Sequence, residues 1–127
     1  MKKKVRRYLY YGDEIEVSSV QDSYESKKTL SCVIHPFLDR PTKLIVAVTL
    51  KTSDESKQAS LGLFVDGAAS PAFEKISSST DYGLQIGKVN AGGWAEGLHA
   101  LDLKLKTEAG GTAYNQLFEI YYETPNN

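Results

Sequence analysis

Two histidines, one cysteine, one tryptophan and eight tyrosines are the side chains from which this chain could build chemistry. His35 and His99 lie far apart, and neither belongs to an H-x-H or H-E-x-x-H spacing. No metal site is expected, because ligands must converge with a defined geometry. No serine sits in G-x-S-x-G, so a Ser-His-Asp triad has no local support. Asp13-Glu14 and Asp54-Glu55 are the paired carboxylates that acid and base work on a sugar requires. Both pairs neighbour turns, where such residues carry solvating charge. Cys32 is the sole cysteine, so no internal disulfide can form. Its place in the apolar run Leu30, Cys32, Val33, Ile34 reads as a small buried hydrophobe, not a reactive thiol. The expectation is a noncatalytic protein with no cofactor and no metal.

Binding has stronger candidates. Trp94 follows Gly92-Gly93 in an expected loop, where an indole stacks on a sugar ring or anchors a partner, with Tyr114 extending the platform. The structural alternative is a tryptophan that plugs one end of the domain. Tyr8, Tyr10 and Tyr11 lie on the first expected strand and Tyr121 and Tyr122 on the last. A strand with tyrosines on both faces turns one of them to water or to another subunit, so these five are read as an interface between copies. Lys2, Lys3, Lys4, Arg6 and Arg7 precede the first tyrosines, and basic residues interleaved with aromatics suit phosphate tracking and base stacking. The alternative is an edge strand whose charges discourage stray pairing, locally neutralised by Asp13, Glu14 and Glu16. Nucleic acid stands behind a second copy and a glycan as the expected partner. Fifteen basic against sixteen acidic residues exclude a surface built wholly for nucleic acid.

The elements that must position these residues are strands. From Leu98 the chain reads L-H-A-L-D-L-K-L, with Leu101, Leu103 and Leu105 alternating with Asp102 and Lys104. That two-residue period belongs to a strand with one wet and one buried face. Lys43 to Lys51 is apolar on both sides and is placed centrally. Val5 to Tyr11 and Glu14 to Ser18 read as an N-terminal pair turned at Gly12-Asp13. Ser23 to His35 is extended until Pro36 and Asp39-Arg40-Pro41 break it. Ser60 to Asp66, a brief segment at Phe73 to Ile76 and Thr80 to Val89 follow, the last with Tyr82, Leu84 and Ile86 on one side. Ala113 to Glu123 closes the domain, with Phe118, Ile120 and Tyr122 on one face. The alternating aliphatics are expected to point inward.

The whole length, 1–127, fits a single domain, with residues 1–4 a basic arm and 124–127 a frayed tail. Met1-Lys2-Lys3-Lys4 has a charged start, but Val5 to Tyr11 contains Arg6, Arg7 and three tyrosines where a signal peptide needs an apolar run. No transmembrane stretch follows, so the expectation is cytoplasmic synthesis, no membrane partner, and a virion as a destination reached by assembly.

The phrases Phe64-Val65-Asp66-Gly67, Glu96-Gly97-Leu98-His99-Ala100-Leu101 and Gly110-Gly111-Thr112-Ala113-Tyr114-Asn115 resemble the strand-and-turn phrasing of jelly-roll modules. Such modules occur in phage fibres, small viral structural proteins and carbohydrate-binding proteins, and the likeness covers the second half of the chain. It implies adhesion, assembly or glycan contact, and it transfers no functional residue. The expected fold is all-β: an antiparallel two-sheet β-sandwich, jelly-roll-like, of about nine short strands. The expected function is that of a noncatalytic viral structural or interaction protein, a homo-oligomer. The alternatives are a carbohydrate-binding module using Trp94 and nearby tyrosines, or a nucleic-acid binder using the basic arm.

Overall fold

The computed structural model describes residues 4–35 and 41–126, with side chains over 7–35 and 41–124. The break expected at Pro36 to Arg40 lies outside the described residues. Ten strands follow one another: β1 (Lys4–Asp13), β2 (Val17–Ser19), β3 (Glu25–Ile34), β4 (Lys43–Thr52), β5 (Ala59–Val65), β6 (Phe73–Ser77), β7 (Gly83–Asn90), β8 (Gly97–Thr107), β9 (Ala113–Asn115) and β10 (Phe118–Asn126). The fold is all-β, and no helix long and apolar enough to cross a membrane occurs among the described residues.

Two antiparallel sheets result. One orders its strands β1-β10-β4-β9-β2, with β7 on the other side of β4, and curls as a half-barrel. The other runs β3-β8-β5-β6. In the first sheet β1 pairs with β10 and β2 with β9, so β1 and β2 lie along one line, as do β10 and β9. The N-terminal hairpin expected at Gly12-Asp13 is therefore corrected: β1 and β2 each take a C-terminal partner. Asp13 redirects the chain without reversing it, because its carboxylate accepts the Ile15 N–H at 3.1 Å and is claimed by other groups described below.

The core lies between the two sheets. Leu44, Val46, Val48 and Leu50 of β4, Leu61 and Leu63 of β5, and Leu101, Leu103 and Leu105 of β8 are fully buried. Each contributes about 2 kcal/mol of transfer free energy. β4 is central as its two apolar faces require, flanked by β10 and β7. Phe118 and Ile120 enter the same core, and Cys32 is fully buried beside them. Thr124 is buried, and β10 pairs with β1 through Asn126.

Two segments depart from the simple alternation. β5 is buried on both sides because Tyr24, Phe64 and Pro71 close over Gly62, where a Cβ would stand 2.9 Å from the Phe64 ring. β7 has the expected period but the opposite facing. Leu84 and Ile86 point outward, 61% and 57% exposed. The inner side of the strand at Gly87 is taken by the Phe73 ring, 2.9 Å from where a Cβ would be.

Candidate functional site

The exterior of the half-barrel sheet is the feature with functional shape. Since the even-numbered residues of β4 point into the core, Ile45, Ala47 and Thr49 point out, and directly paired residues share that face. Pairing sets Leu9, Tyr121, Ile45 and Lys88 in one row across four strands. The next row holds Glu119, Ala47 and Ile86, and the one beyond it Thr49 and Leu84. Leu9 at the β1 edge is 58% exposed, and Leu84 and Ile86 at the β7 edge are 61% and 57% exposed. Between them Tyr121 and Ile45 are half-buried, Ala47 is buried, and Glu119 and Lys88 stand in the same rows. No strand lies beyond β7 among the described residues. The exterior of the other sheet is mixed: Leu98, Ile76 and Val33 are exposed there, 72%, 52% and 41%, among polar and charged groups. There Ser26 bonds Asp102, Tyr24 reaches Glu74, and Lys104 and Lys106 lie over the rings of Phe64 and Tyr24, each at 4.5 Å.

The five interface tyrosines divide. Tyr11 packs edge-on against Phe118 and donates to Asp13 at 2.5 Å, which pushes its phenol up to about 12. Tyr122 meets Cys32 Sγ at 2.7 Å, and burial raises both groups above their usual ranges. Tyr10 stacks on Tyr122 at 4.4 Å and donates to the Ser31 carbonyl of β3. These three close the seam between β1 and β3 within one molecule. Tyr121 lies on the outer face beside Glu119, and Tyr8 is exposed. The same seam holds a buried ion pair. Lys28, its side chain 7% exposed, donates to Asp13 at 2.5 Å and to the Gln116 carbonyl at 2.8 Å. Burial presses the Asp13 carboxyl upward, but the bonds from Lys28 and Tyr11 outweigh it and leave the acid below its usual range.

Trp94 and Tyr114 are not brought together. β8 runs between their neighbourhoods, and its length sets them on the order of 30 Å apart. Trp94 is half-buried, packs against the core and lies 5.0 Å from the His99 ring. His99 binds through both nitrogens, Nδ1 to Asp66 and Nε2 to the Ala95 carbonyl, each at 2.6 Å. Two acceptors favour the doubly protonated ring, so the bond to Ala95 and then that to Asp66 raise its pKa. The acceptor is fixed by a tight turn in which Asp66 and Gly67 both take positive φ, closed by Ala68 N–H to the Val65 carbonyl. At the other end Lys51 lies between Tyr82 and Tyr114, at 4.5 and 5.1 Å. The Tyr82 hydroxyl donates to Glu16 at 2.5 Å.

Of the basic residues, Lys2 and Lys3 lie outside the described residues, and only the backbone of Lys4 and Arg6 is described, within β1. Arg7 is bound to Glu123 at 3.0 Å. Asp54, one of the acidic pair at 54 and 55, binds Ser56 of its own loop. Among the described residues no three His, Cys, Asp or Glu side chains converge as a metal site. A depression of about 320 Å³ lies where Asp22, Gln58, Ser60, Ile76, Lys106 and Glu108 meet.

Sequence reasoning missed the outward turn of Leu84 and Ile86. The available signal was the opposite face of β7, where Gly83 and Gly87 offer no bulk to a core, Gln85 is polar, and glycines mark close approach by a neighbour. Compared with protein-family models and with curated proteins, the chain matches none.

Proposed function

We propose that the chain is a noncatalytic structural protein of jelly-roll architecture that assembles from copies of itself, as the structural proteins of viruses do. The connectivity supports the architecture. Counting β1 with β2 and β9 with β10 as single strands, the sheet orders become 1-8-3-6 and 2-7-4-5. Each sheet thus interleaves strands from both halves of the chain, as two nested Greek keys require, and this class of fold serves capsid and lectin domains. Fold alone does not carry function. The observation that does is the exposed apolar pair Leu84 and Ile86 on the half-barrel exterior at the β7 edge, since apolar side chains left uncovered together mark interaction surfaces.

Sedimentation velocity from about 1 to 500 µM tests the reading, a range that reaches weak association. A boundary that moves to dimer or beyond supports it, and a lone monomer boundary throughout overturns it. Removal of residues 1–11 is not a clean control, because it strips most of β1 from β10. A second reading, glycan binding, is favoured by the depression between Asp22, Ser60 and Lys106. A glycan array with a Ser60→Leu control checks it, and no signal above that control removes it.

A further inference from the structure

The edges of the two sheets are not equivalent. β1 carries a register shift between Leu9 and Tyr11 and sends Tyr10 across to β3. β3 carries its own shift between Ser26 and Lys28, with Lys27 beside it. β6 is five residues long and bears Glu74 and Lys75. Bulges, charge and shortness are the devices that keep edges from pairing. β7 has none of them except one lysine: its eight residues keep unbroken register with β4, and its exposed side chains include Leu84 and Ile86.

The backbone on that edge can be assigned. Thr49 N–H donates to the Leu117 carbonyl on the β10 side of β4, whereas Thr52 N–H donates to Ser79, in the segment leading into β7. Successive residues of a strand turn their amides to opposite sides, so the even-numbered residues of β4 serve β7. Val46, Val48 and Leu50 stand opposite Gly87, Gln85 and Gly83. Those three residues use their peptide groups on β4, which leaves the N–H and C=O of Leu84, Ile86 and Lys88 facing outward, with no strand beside them among the described residues.

We infer that β7 pairs antiparallel with β7 of a second copy about a two-fold axis at Gln85, joining two half-barrel sheets edge to edge. This rests on the self-assembly reading and names its surface. The register sets Leu84 opposite Ile86 of the partner subunit, and the reverse, so apolar side chains meet twice on the outer face and the outward peptide groups of both strands bond in pairs. Gly83 and Gly87 oppose each other without steric demand. The occupant is a second copy because the strand is complementary to itself in charge. Asp81 and Glu16, the latter held by Tyr82, mark one end, and Lys88 marks the other. Antiparallel pairing lays each lysine against the acidic end of its partner. Lys51 already covers one face of the Tyr82 ring, so Glu16 is the group that receives the incoming ammonium. A two-fold interface of this kind is isologous and closes at the dimer.

The full chain carrying Gln85→Cys tests the register. Residues on the axis form a non-hydrogen-bonded pair with Cα atoms about 4.5 Å apart, within disulfide reach. Mild oxidation is expected to give a covalent dimer on a non-reducing gel for Gln85→Cys and none for Lys88→Cys, which faces Tyr82 of the partner subunit instead. Wild type is the control, its Cys32 being buried. Ile86→Pro removes an outward N–H without touching the β4 ladder, and Ile86→Lys places a charge in the seam. Each is expected to raise the dimer dissociation constant at least about tenfold in sedimentation, with the far-ultraviolet spectrum unchanged. Ile86→Lys decides the matter if the proline variant fails to fold. A wild-type dimer that survives Ile86→Lys and does not cross-link at Gln85 overturns the edge inference while leaving self-assembly through another surface. A wild type that is monomeric throughout overturns both. Equal cross-linking at positions 85 and 88 overturns the register.

Discussion

Where β1 runs beside β3, side chains cross from one sheet to the other: Lys28 to Asp13, Tyr10 to Ser31, Cys32 to Tyr122. Where β7 runs beside β6, the crossing is the Phe73 ring lodged against Gly87. Both seams close the same pair of sheets, yet one uses buried polar bonds that demand defined geometry and the other uses shape. A laced seam has committed its polar groups inside the molecule. The other leaves the outward peptide groups of β7 without a strand partner among the described residues, and this difference is why the proposed assembly is placed on that side of the domain.

The largest way to break the comparison is at the laced seam. Lys28→Met leaves Asp13 buried without its cation and is expected to cost about 3 kcal/mol in urea denaturation. Adding Asp13→Asn, which still accepts from Tyr11, is expected to return a large part of that loss. At the other seam Gly87→Ala drives a Cβ into the Phe73 ring and is expected to cost about 1.5 kcal/mol by the same measurement.

The tie between Asp66 and His99 sharpens the comparison through pH. The His99 pKa is raised above 6.5 in the folded state, so its contribution is complete below 6.5 and is lost as pH rises through the folded value. The Asp66 carboxyl is lowered, chiefly by the bond from His99, so its contribution fades as pH falls below 3.8. Thermal melts of wild type and His99→Gln should therefore differ more at pH 5.5 than at pH 9, and an equal difference at both would refute the assignment. The smallest effect belongs to the β7 edge. Leu84→Thr with Ile86→Thr is expected to change monomer stability by less than about 0.5 kcal/mol, because both side chains are already exposed. A loss comparable to that of Lys28→Met would mean the strand is structural after all.

Periodicity by itself determined that this chain is all-β, that Leu101, Leu103 and Leu105 are core, that Lys43 to Lys51 is a central strand, and that Cys32 is buried. Those properties follow from alternation and from local apolar density, which any single segment carries. Other features were decided only by tertiary structure. Alternation states that Leu84 and Ile86 share a face but not which face, and Phe73, eleven residues before Leu84 in the chain, took the inner side. The tyrosines of β1 and β10 could be read as a surface or a seam, and the choice fell to Asp13, Lys28 and Cys32 on other parts of the chain. Strand partners and free edges are long-range facts. They depend on which segments compete for one hydrogen-bonding edge, and no local pattern of residues encodes the outcome of that competition.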